Sequence, residues 1–404
     1  MKVKLLFVNE SLTLAGGEKS LIALLSNLNP DLYEIDLQLF RYGGELDKFI
    51  PAYVNILPPL PYTDFAAKSW VENIISIFKK NHFKYLKSKI AYSVRLQGGA
   101  YNHPEKAQLY WEEIEKSFLT LPKKYDVAIS YAQGIPTYYV NDKVVAIKKI
   151  AWVNVNVRFP EKNKVFQKSH YDKFDKIVAV SSFTQDFLED LFPDLKHKYE
   201  TIYDIVDYTN IVRLSNEKVK PFANDSFSIL TVARLNKLQK GYDIALEACR
   251  ILKEKKIDFH WYAVGAGPYK DEMEEFIRLH QLEDYFTFLG TTSNPYPFFK
   301  QADLYVQTSR HEGFGLSIAE ARLLNIPVVT TRFDTVFMQM VDGKNGLVTD
   351  MNPEAVANAI QEMMTDEDLY KSIVDYLKNE KKVNDESVKL FDAMIEEVLL
   401  TNKY

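Results

Sequence analysis

The chain of 404 residues has one cysteine, few glycines and prolines (15 and 16), and no long apolar run. Cys249 cannot form an internal disulfide, and it falls in a predicted helix over 243–255 as a small apolar residue. No run approaches the roughly 18 apolar residues that span a bilayer. A net charge of −5 lacks the basic excess of nucleic-acid binders. These absences argue against a disulfide scaffold, an integral membrane protein and a nucleic-acid partner.

The first nine residues form a short apolar run that ends at the polar Asn9. This run is too short for a signal-peptide core with its cleavage site, and it predicts a buried first strand instead. Together with the single cysteine, it leads us to expect a cytoplasmic protein.

Apolar strand-like runs alternate with helical patterns, which is typical of an α/β fold with parallel sheets. Strands are predicted over 3–8, 35–40, 127–131, 150–153 and 176–180, and then over 228–232, 258–264, 285–289, 304–307 and 327–331. The chain is too long for one core, and 203–227 lacks a long periodic pattern. We therefore predict two doubly wound α/β domains, at 1–204 and 205–382. A final amphipathic helix within 383–404 is expected to pack back on the first domain.

Residues 66–95 differ from their surroundings because seven basic residues stand there against one acid, Glu72. The basic residues are Lys68, Lys79, Lys80, Lys84, Lys87, Lys89 and Arg95, and aromatic and aliphatic residues lie between them. Helices of this kind can lie on the inner, anionic face of a membrane. They can equally pack on the domain with solvated lysines, and the sequence leaves both interpretations open.

The densest chemical signal is at 311–321, where Glu312 and Glu320 lie eight positions apart around a Gly-Phe-Gly turn. A helix is predicted over 316–324. Its start offers unbonded N–H groups and a partial positive charge, which suit a phosphate. The two acids can accept hydrogen bonds from sugar hydroxyls. The pattern therefore predicts a ligand that is both phosphorylated and rich in hydroxyls, such as a nucleotide sugar.

Two basic residues, Arg234 and Lys240, follow the first predicted strand of the second domain. The carboxyl ends of parallel strands are where α/β sheets bind ligands. A guanidinium fork and an ammonium group can hold a diphosphate and neutralise a leaving group. An ordinary solvated loop is the alternative.

Glycine turns occur at two further places. Gly265 and Gly267 follow a strand but lack the third glycine of a dinucleotide fingerprint, so a plain strand-to-helix turn is favoured there. Gly16 and Gly17 precede a helix near the N-terminus, where backbone can approach a ligand or simply turn. Asn154, just after a strand, is either a cleft-lining residue or a cap.

Taken together, these residues resemble the retaining glycosyltransferases of family four, of the group 1 type. That family has the GT-B fold, in which two Rossmann-like domains face each other across a cleft. The resemblance implies that 1–204 is the acceptor-side domain and that 205–382 binds the nucleotide sugar. The resemblance covers most of the chain and is strongest over 228–350. It is carried by these motifs in order: Arg234 with Lys240-Gly241, Gly265-Ala266-Gly267, Gly290 to Asp303, Glu312 to Glu320-Ala321, Pro327-Val328-Val329 and Gly343-Lys344-Asn345-Gly346.

The resemblance implies that Arg234 and Lys240 grip the donor diphosphate, that Glu312 contacts the sugar hydroxyls, and that Glu320 contacts the ribose. Glu312, Arg234 and Lys240 are the expected catalytic residues. The other expected donor-binding residues are Gly16, Gly17, Gly265, Gly290, Phe314, Gly315, Leu316 and Glu320. The family needs no metal ion or cofactor, and its acceptor hydroxyl attacks from the face that the nucleotide leaves.

Two positions depart from the family pattern. Asn154 stands where many members have histidine, and its amide cannot titrate, so a proton-shuttle role there is not expected. Asp204 stands after the last strand of the first domain, where asparagine is frequent.

The resemblance implies an enzyme that moves a hexose from a nucleotide sugar, with a UDP-sugar favoured, to a glycan acceptor. A lipid-linked acceptor in cell-surface or capsular polysaccharide synthesis is expected, which would suit peripheral contact of 66–95 with the membrane. The alternatives are a non-catalytic partner of another transferase, a protein glycosyltransferase, and a different GT-B enzyme such as an epimerase or a phosphorylase.

Overall fold

The computed structural model describes residues 2–69, 72, 82–156, 159–222, 226–382 and 385–400. It divides into two compact units, which are described separately. Unit 1 consists of residues up to 205 together with the last helix, and unit 2 extends from 206 to 384.

Unit 1 is built on a seven-stranded sheet in the order β3-β2-β1-β4-β5-β6-β7. All its neighbouring strands are parallel. The strands are β1 (Val3–Asn9), β2 (Tyr33–Leu39), β3 (Asn55–Ile56), β4 (Lys124–Ser130), β5 (Val145–Val153), β6 (Lys176–Ala179) and β7 (Tyr199–Thr201). The described helices are α1 (Gly16–Asn27), α2 (Pro61–Ala67), α3 (Phe83–Gln97), α4 (His103–Ile114), α5 (Ile135–Lys143), α6 (Glu161–Tyr171) and α7 (Ser182–Leu191).

Unit 2 contains a six-stranded parallel sheet in the order β10-β9-β8-β11-β12-β13. Its strands are β8 (Phe227–Val232), β9 (Phe259–Val264), β10 (Phe286–Gly290), β11 (Leu304–Gln307), β12 (Val328–Thr331) and β13 (Gly346–Thr349). The described helices of this unit are α8 (Tyr208–Ser215), α9 (Lys237–Lys240), α10 (Tyr242–Glu254), α11 (Lys270–Leu279), α12 (Tyr296–Phe299), α13 (Leu316–Leu323), α14 (Pro353–Thr365) and α15 (Glu367–Asn379). The last helix of the chain, α16 (Asp385–Leu400), is part of unit 1.

The central strands β1 and β4 of unit 1 are buried on both faces along most of their length, as in parallel sheets that helices cover on both sides. Along β1, Leu5 and Phe7 belong to one buried cluster, whereas Leu6 and Val8 belong to the other. This follows from the two-residue period of a strand. The C-terminal helix α16 covers the first side, where Phe391 lies against the ring of Phe7 at 6.1 Å.

The predicted α/β architecture is confirmed, since each of the ten predicted strands is present within three residues of its predicted start, apart from β5, which begins five residues earlier. Three further strands, β3, β7 and β13, were not predicted. The interval 203–227, whose sequence lacks a long periodic pattern, contains the short helix α8. Among the described residues, no helix has the length and apolar character needed to cross a bilayer.

Part of the basic region 66–95 lies outside the described residues, namely 70–71 and 73–81, which include Lys79 and Lys80. In the part that is described, ion pairs with acids outside the region reduce the charge asymmetry. Lys68 pairs with Asp64, and Arg95 donates to Glu112 and Glu113 of α4 at 2.8 Å each. The local count of one acid therefore understated the negative charge around these helices.

Candidate functional site

The residues predicted to bind a ligand in unit 2 follow four neighbouring strands of its sheet. Because β10, β9, β8 and β11 are parallel, their carboxyl ends meet at one edge. Arg234 follows β8, Gly265 follows β9, Gly290 ends β10, and Glu312 lies five residues beyond β11. The strand order thus brings together residues that are distant in sequence.

The glycine turn after β9 lets two loops touch through their backbones. Ala233 and Leu235 donate backbone N–H groups to the carbonyls of Val264 and Ala266 at 3.1 and 3.0 Å. A Cβ atom on Gly265 would lie 2.0 Å from the Ala233 carbonyl oxygen. The favoured interpretation of a strand-to-helix turn fits this packing, and the turn fixes the backbone on both sides of Arg234.

Arg234 itself is exposed, and its Nη2 lies 3.4 Å from the Gln239 side chain. Within the described ranges, its guanidinium forms no ion pair with an acid. The backbone of Arg234 is thus fixed, while its guanidinium is open to solvent. Such a guanidinium can bind a phosphate.

Lys240 is held at the end of β11 by the residue that follows it. Gly241 ends the short helix α9 with a φ of +64°, and a Cβ atom there would lie 2.0 Å from the Thr308 carbonyl oxygen. Glycine is therefore required both for the left-handed backbone and for the close approach. Its position places the Lys240 side chain beside the loop that carries Glu312.

Glu312 accepts hydrogen bonds from three side chains, and the strongest contact is an ion pair. Lys240 Nζ lies 2.6 and 2.9 Å from the two carboxylate oxygens. Gln307 Nε2 and Ser309 Oγ donate to Oε1 at 2.9 and 2.6 Å. The residues predicted to hold the diphosphate and the sugar therefore contact each other.

A second ion pair, which the sequence did not indicate, supports the same loop. Arg310 donates from both terminal nitrogens to the two oxygens of Asp243, at 2.9 and 2.8 Å, and also to the Lys237 carbonyl oxygen. Burial acts to raise the pKa of Asp243, but the Arg310 hydrogen bonds and charge hold that pKa below its ordinary value. The pair fastens the Glu312 loop to the start of α10.

The start of α13 is fixed by side-chain hydrogen bonds to backbone carbonyls. Gly315 caps this helix with a φ of +84°. Gln339 donates to the carbonyls of Phe314 and Gly315, and Ser317 Oγ donates to the Val232 carbonyl at the end of β8. The helix start at Leu316 is thereby fastened to the edge of the sheet that carries Arg234.

Glu320 lies deeper in the same helix and is 2% exposed. Its Oε1 accepts a hydrogen bond from the Tyr296 hydroxyl at 3.0 Å. Burial and the adjacent carboxylate raise the pKa of Tyr296 well above its ordinary value. The roles assigned to Glu312 and Glu320 stay predictions.

Gly290 ends β10 with a φ of +75°, and no atom of the described residues lies within 4 Å of the position that a Cβ would take there. Its carbonyl accepts the Gly265 N–H at 2.8 Å. The predicted donor-binding glycines at 265 and 290 are therefore joined directly.

In unit 1, the structure brings Gly17 and Asn154 together. A Cβ atom on Gly17 would lie 3.2 Å from Asn154 Nδ2, and that amide donates to the Tyr131 carbonyl at 2.7 Å. The helix α1 begins at Gly16, after Ala15. Asn154 is half-buried beside the glycine turn, so its amide is committed to fixing the strand ends around that turn.

Beneath this turn lies a buried polar cluster that the sequence did not indicate. Ser20 Oγ lies 3.1 Å from the Tyr131 hydroxyl and accepts the Ile205 N–H at 3.2 Å. Burial raises the pKa of the neighbouring Asp204 from 3.8 to about 7, against a smaller lowering by Ser20. Asp204 is therefore a buried carboxyl group next to the anchor of α1.

Across the described ranges, no group of three or more His, Cys, Asp or Glu side chains is arranged to hold a metal ion. Independence of metal ions stays a prediction, which an activity assay with a chelator would test.

Residues 212–380 match the family model of glycosyl transferases group 1. A Campylobacter jejuni relative is named as the N-acetylgalactosamine-N,N'-diacetylbacillosaminyl-diphospho-undecaprenol 4-alpha-N-acetylgalactosaminyltransferase. It is 27% identical over 234 residues, which are 57% of this chain and 62% of the relative. An Escherichia coli O-antigen biosynthesis glycosyltransferase is 30% identical over 174 residues, 42% of this chain and 46% of its own length. This chain spans about half the length of the first curated relatives it matches.

Among solved structures, the Anabaena protein HepE in complex with UDP and glucose superposes with a TM-score of 0.69 at 18% identity. The superposition covers 98% of this chain and 99% of HepE. The chain therefore has the GT-B fold of solved glycosyltransferases, and the segment of unit 2 that carries the candidate site matches the glycosyl transferases group 1 model.

Proposed function

We propose that the protein is a retaining glycosyltransferase that moves a hexose from a nucleotide sugar, preferably a UDP-sugar, to a lipid-linked glycan acceptor. The observation that carries this proposal is the Lys240–Glu312 ion pair beside the exposed Arg234, at the carboxyl edge of the second sheet. The arrangement offers cations for a diphosphate and a carboxylate for sugar hydroxyls at one place.

In the proposed reaction, the bond between the sugar C1 atom and the diphosphate oxygen breaks, and its electron pair remains on the diphosphate. Arg234 and Lys240 stabilise that charge, and the N–H groups at the start of α13 assist. The acceptor oxygen bonds to C1 from the same face, and its proton passes to the departing diphosphate oxygen. Glu312 and Glu320 act as hydrogen-bond acceptors for the sugar and the ribose, and no metal ion takes part.

The comparisons support the finer parts of this proposal by analogy. HepE was solved with UDP and glucose, and the Campylobacter relative is named for an acceptor on a diphospho-undecaprenol carrier. The E. coli relative is named for O-antigen biosynthesis. We accordingly propose a role in assembling a cell-surface or capsular polysaccharide.

The proposal is tested by a panel of nucleotide sugars that differ in base and sugar, with release of the nucleoside diphosphate as the readout. We expect release above the blank from at least one UDP-sugar, and we expect a chelator of divalent cations to leave the rate unchanged. No release from any donor, with or without a lipid-linked acceptor, would refute the transferase. A chain that is silent alone but raises the activity of another transferase would instead be a non-catalytic partner.

For the membrane surface, we propose that α3 contacts anionic lipid. Phe83, Ile90 and Val94 are 57%, 46% and 62% exposed. They lie close together on one helical face, with Lys87 exposed beside them. Exposed apolar residues beside a cation are the pattern with which helices bind to anionic membrane surfaces.

An Ile90→Asp/Val94→Asp variant is expected to lower partitioning into phosphatidylglycerol vesicles by about tenfold or more, since two apolar side chains lose their place in the bilayer interface. Co-sedimentation of the full chain with vesicles measures this. Val165→Asp is the control, because Val165 is 64% exposed but stands on α6. Equal loss in the control, or equal binding to phosphatidylcholine vesicles, would contradict the proposal.

A further inference from the structure

Three polar side chains approach Glu312 from β11 and the loop after it. Tyr305, Gln307 and Ser309 are alternate residues, and successive alternate residues of a strand point to the same side. All three are buried. Buried polar side chains on one side of an otherwise apolar strand need partners. Gln307 and Ser309 donate to Glu312, and Tyr305 contacts Gln307.

The side chains form a directed chain of hydrogen bonds. Tyr305 Oη lies 2.8 Å from Gln307 Oε1, and Gln307 Nε2 lies 2.9 Å from Glu312 Oε1. The reverse orientation of the Gln307 amide would place its oxygen against the carboxylate, which repels it. The Tyr305 hydroxyl therefore donates to the amide oxygen, and the amide nitrogen donates to the carboxylate.

The two oxygens of Glu312 differ in their contacts. Oε1 receives Gln307, Ser309 and Lys240, at 2.9, 2.6 and 2.6 Å. Oε2 receives Lys240 at 2.9 Å, with no other hydrogen bond from the residues that the structure describes. A carboxylate oxygen has about two lone-pair sites, so Oε1 is committed to the protein and Oε2 keeps capacity for a ligand hydroxyl.

We propose that Gln307 is a positioning residue that fixes the rotation of Glu312, so that Oε2 remains available to accept a hydroxyl of the transferred sugar. This inference rests on the proposed glycosyltransferase function and deepens it. Tyr305 acts through Gln307 by holding its amide in the donating orientation. Neither residue needs to touch the substrate.

The test is a Gln307→Met variant, which keeps the length of the side chain but removes the amide. We expect kcat/KM for the donor sugar to fall by about tenfold or more, as for the loss of a hydrogen bond to a charged group. The Kd of UDP alone, measured by calorimetry, is expected to stay within about twofold, because Glu312 is assigned to the sugar and not to the nucleotide.

Two further variants distinguish positioning from general stability. Tyr305→Phe should lower kcat/KM in the wild-type background but cause no additional loss in Gln307→Met, because both act on the same carboxylate. Thr330→Val is the matched control, since Thr330 Oγ1 is also buried and donates to Gln307, but to its backbone carbonyl at 3.0 Å. That control should retain kcat/KM.

An active wild-type chain with an unaffected Gln307→Met variant would overturn the inference alone. So would equal losses of UDP affinity and kcat/KM, or additive losses with Tyr305→Phe. A wild-type chain that releases no nucleoside diphosphate from any donor would refute the proposed function, and the inference would fall with it.

Discussion

A Glu312→Gln variant is expected to lower kcat/KM for the nucleotide sugar by about 10²–10³-fold. Glutamine keeps the length and shape of the side chain but replaces a charged oxygen with an NH₂ group, which cannot accept a hydrogen bond from a sugar hydroxyl. The fold should tolerate the change, because Gln307 and Ser309 can still donate to the remaining oxygen. The measurement is the rate of nucleoside diphosphate release with the best donor of the panel.

The ion pair between Lys240 and Glu312 leads to a second prediction, on the binding of UDP alone. Lys240→Met should weaken binding of UDP alone, because it removes a cation assigned to the diphosphate. Glu312→Gln should leave UDP binding unchanged or strengthen it, since it frees Lys240 from a partner at 2.6 Å. Glu283→Gln, an exposed position in the same unit, is the control. Undiminished release in Glu312→Gln, or equal loss of UDP affinity in both variants, would contradict the assigned roles.

The sequence predicted all the inner strands of both sheets and the edge strand β10, because each of them lies in a run of mostly apolar residues. The missed strands are β3, β7 and β13, with two, three and four residues. Two of them, β3 and β7, are the edge strands of the first sheet, and β13 is an edge of the second. An edge strand buries less surface, so its sequence is less constrained.

The candidate site was predicted as residue types but not as contacts. Arg234, Lys240, Glu312 and Glu320 were named, yet their pairing depends on strand order, which places β8 beside β11. Lys240 and Glu312 are 72 positions apart, and the Arg310–Asp243 pair is separated by 67. One signal was available in the sequence: Gln307 is a polar residue at the end of the buried strand β11, where an amide needs partners.

In the basic region, 66–95, local composition overstated the net positive charge, because it left out acids that lie against the region in the fold. Arg95 is compensated by Glu112 and Glu113, which follow it by 17 and 18 positions on the next helix. A sequence window cannot include such neighbours unless the packing of the helices is known.

In unit 1, an Asp204→Asn variant is expected to stabilise the protein at pH 8 by about 4 kcal/mol and to have little effect near pH 4. Burial raises the pKa of Asp204 from 3.8 to about 7, so the ionised form is disfavoured in the folded state. Each unit of pKa difference corresponds to about 1.4 kcal/mol. Asparagine resembles the neutral acid and carries no such cost.

The sign follows from proton binding. Between pH 3.8 and about 7, the folded chain holds a proton on Asp204 that the unfolded chain has lost. The contribution of this group to the free energy of unfolding therefore falls as the pH rises through that window, and it is constant above it. The difference between variant and wild type should follow the same course, while contributions from other carboxyl groups cancel.

Urea unfolding is measured at several pH values from 4 to 8. Hydrogen exchange in peptides from β4 and β5 is the readout, because these strands report the unfolding of unit 1. Asp186→Asn on α7 is the control, because Asp186 is exposed in the same unit. A difference between Asp204→Asn and wild type that does not grow with pH would show that the pKa of this carboxyl group is not raised in the folded chain. Growth of the difference between about pH 4 and 7 would instead show that the residue beside the Ser20 anchor of α1 is kept neutral by the fold. The polar cluster beneath the glycine turn would then contain a carboxyl group that loses its proton near neutral pH.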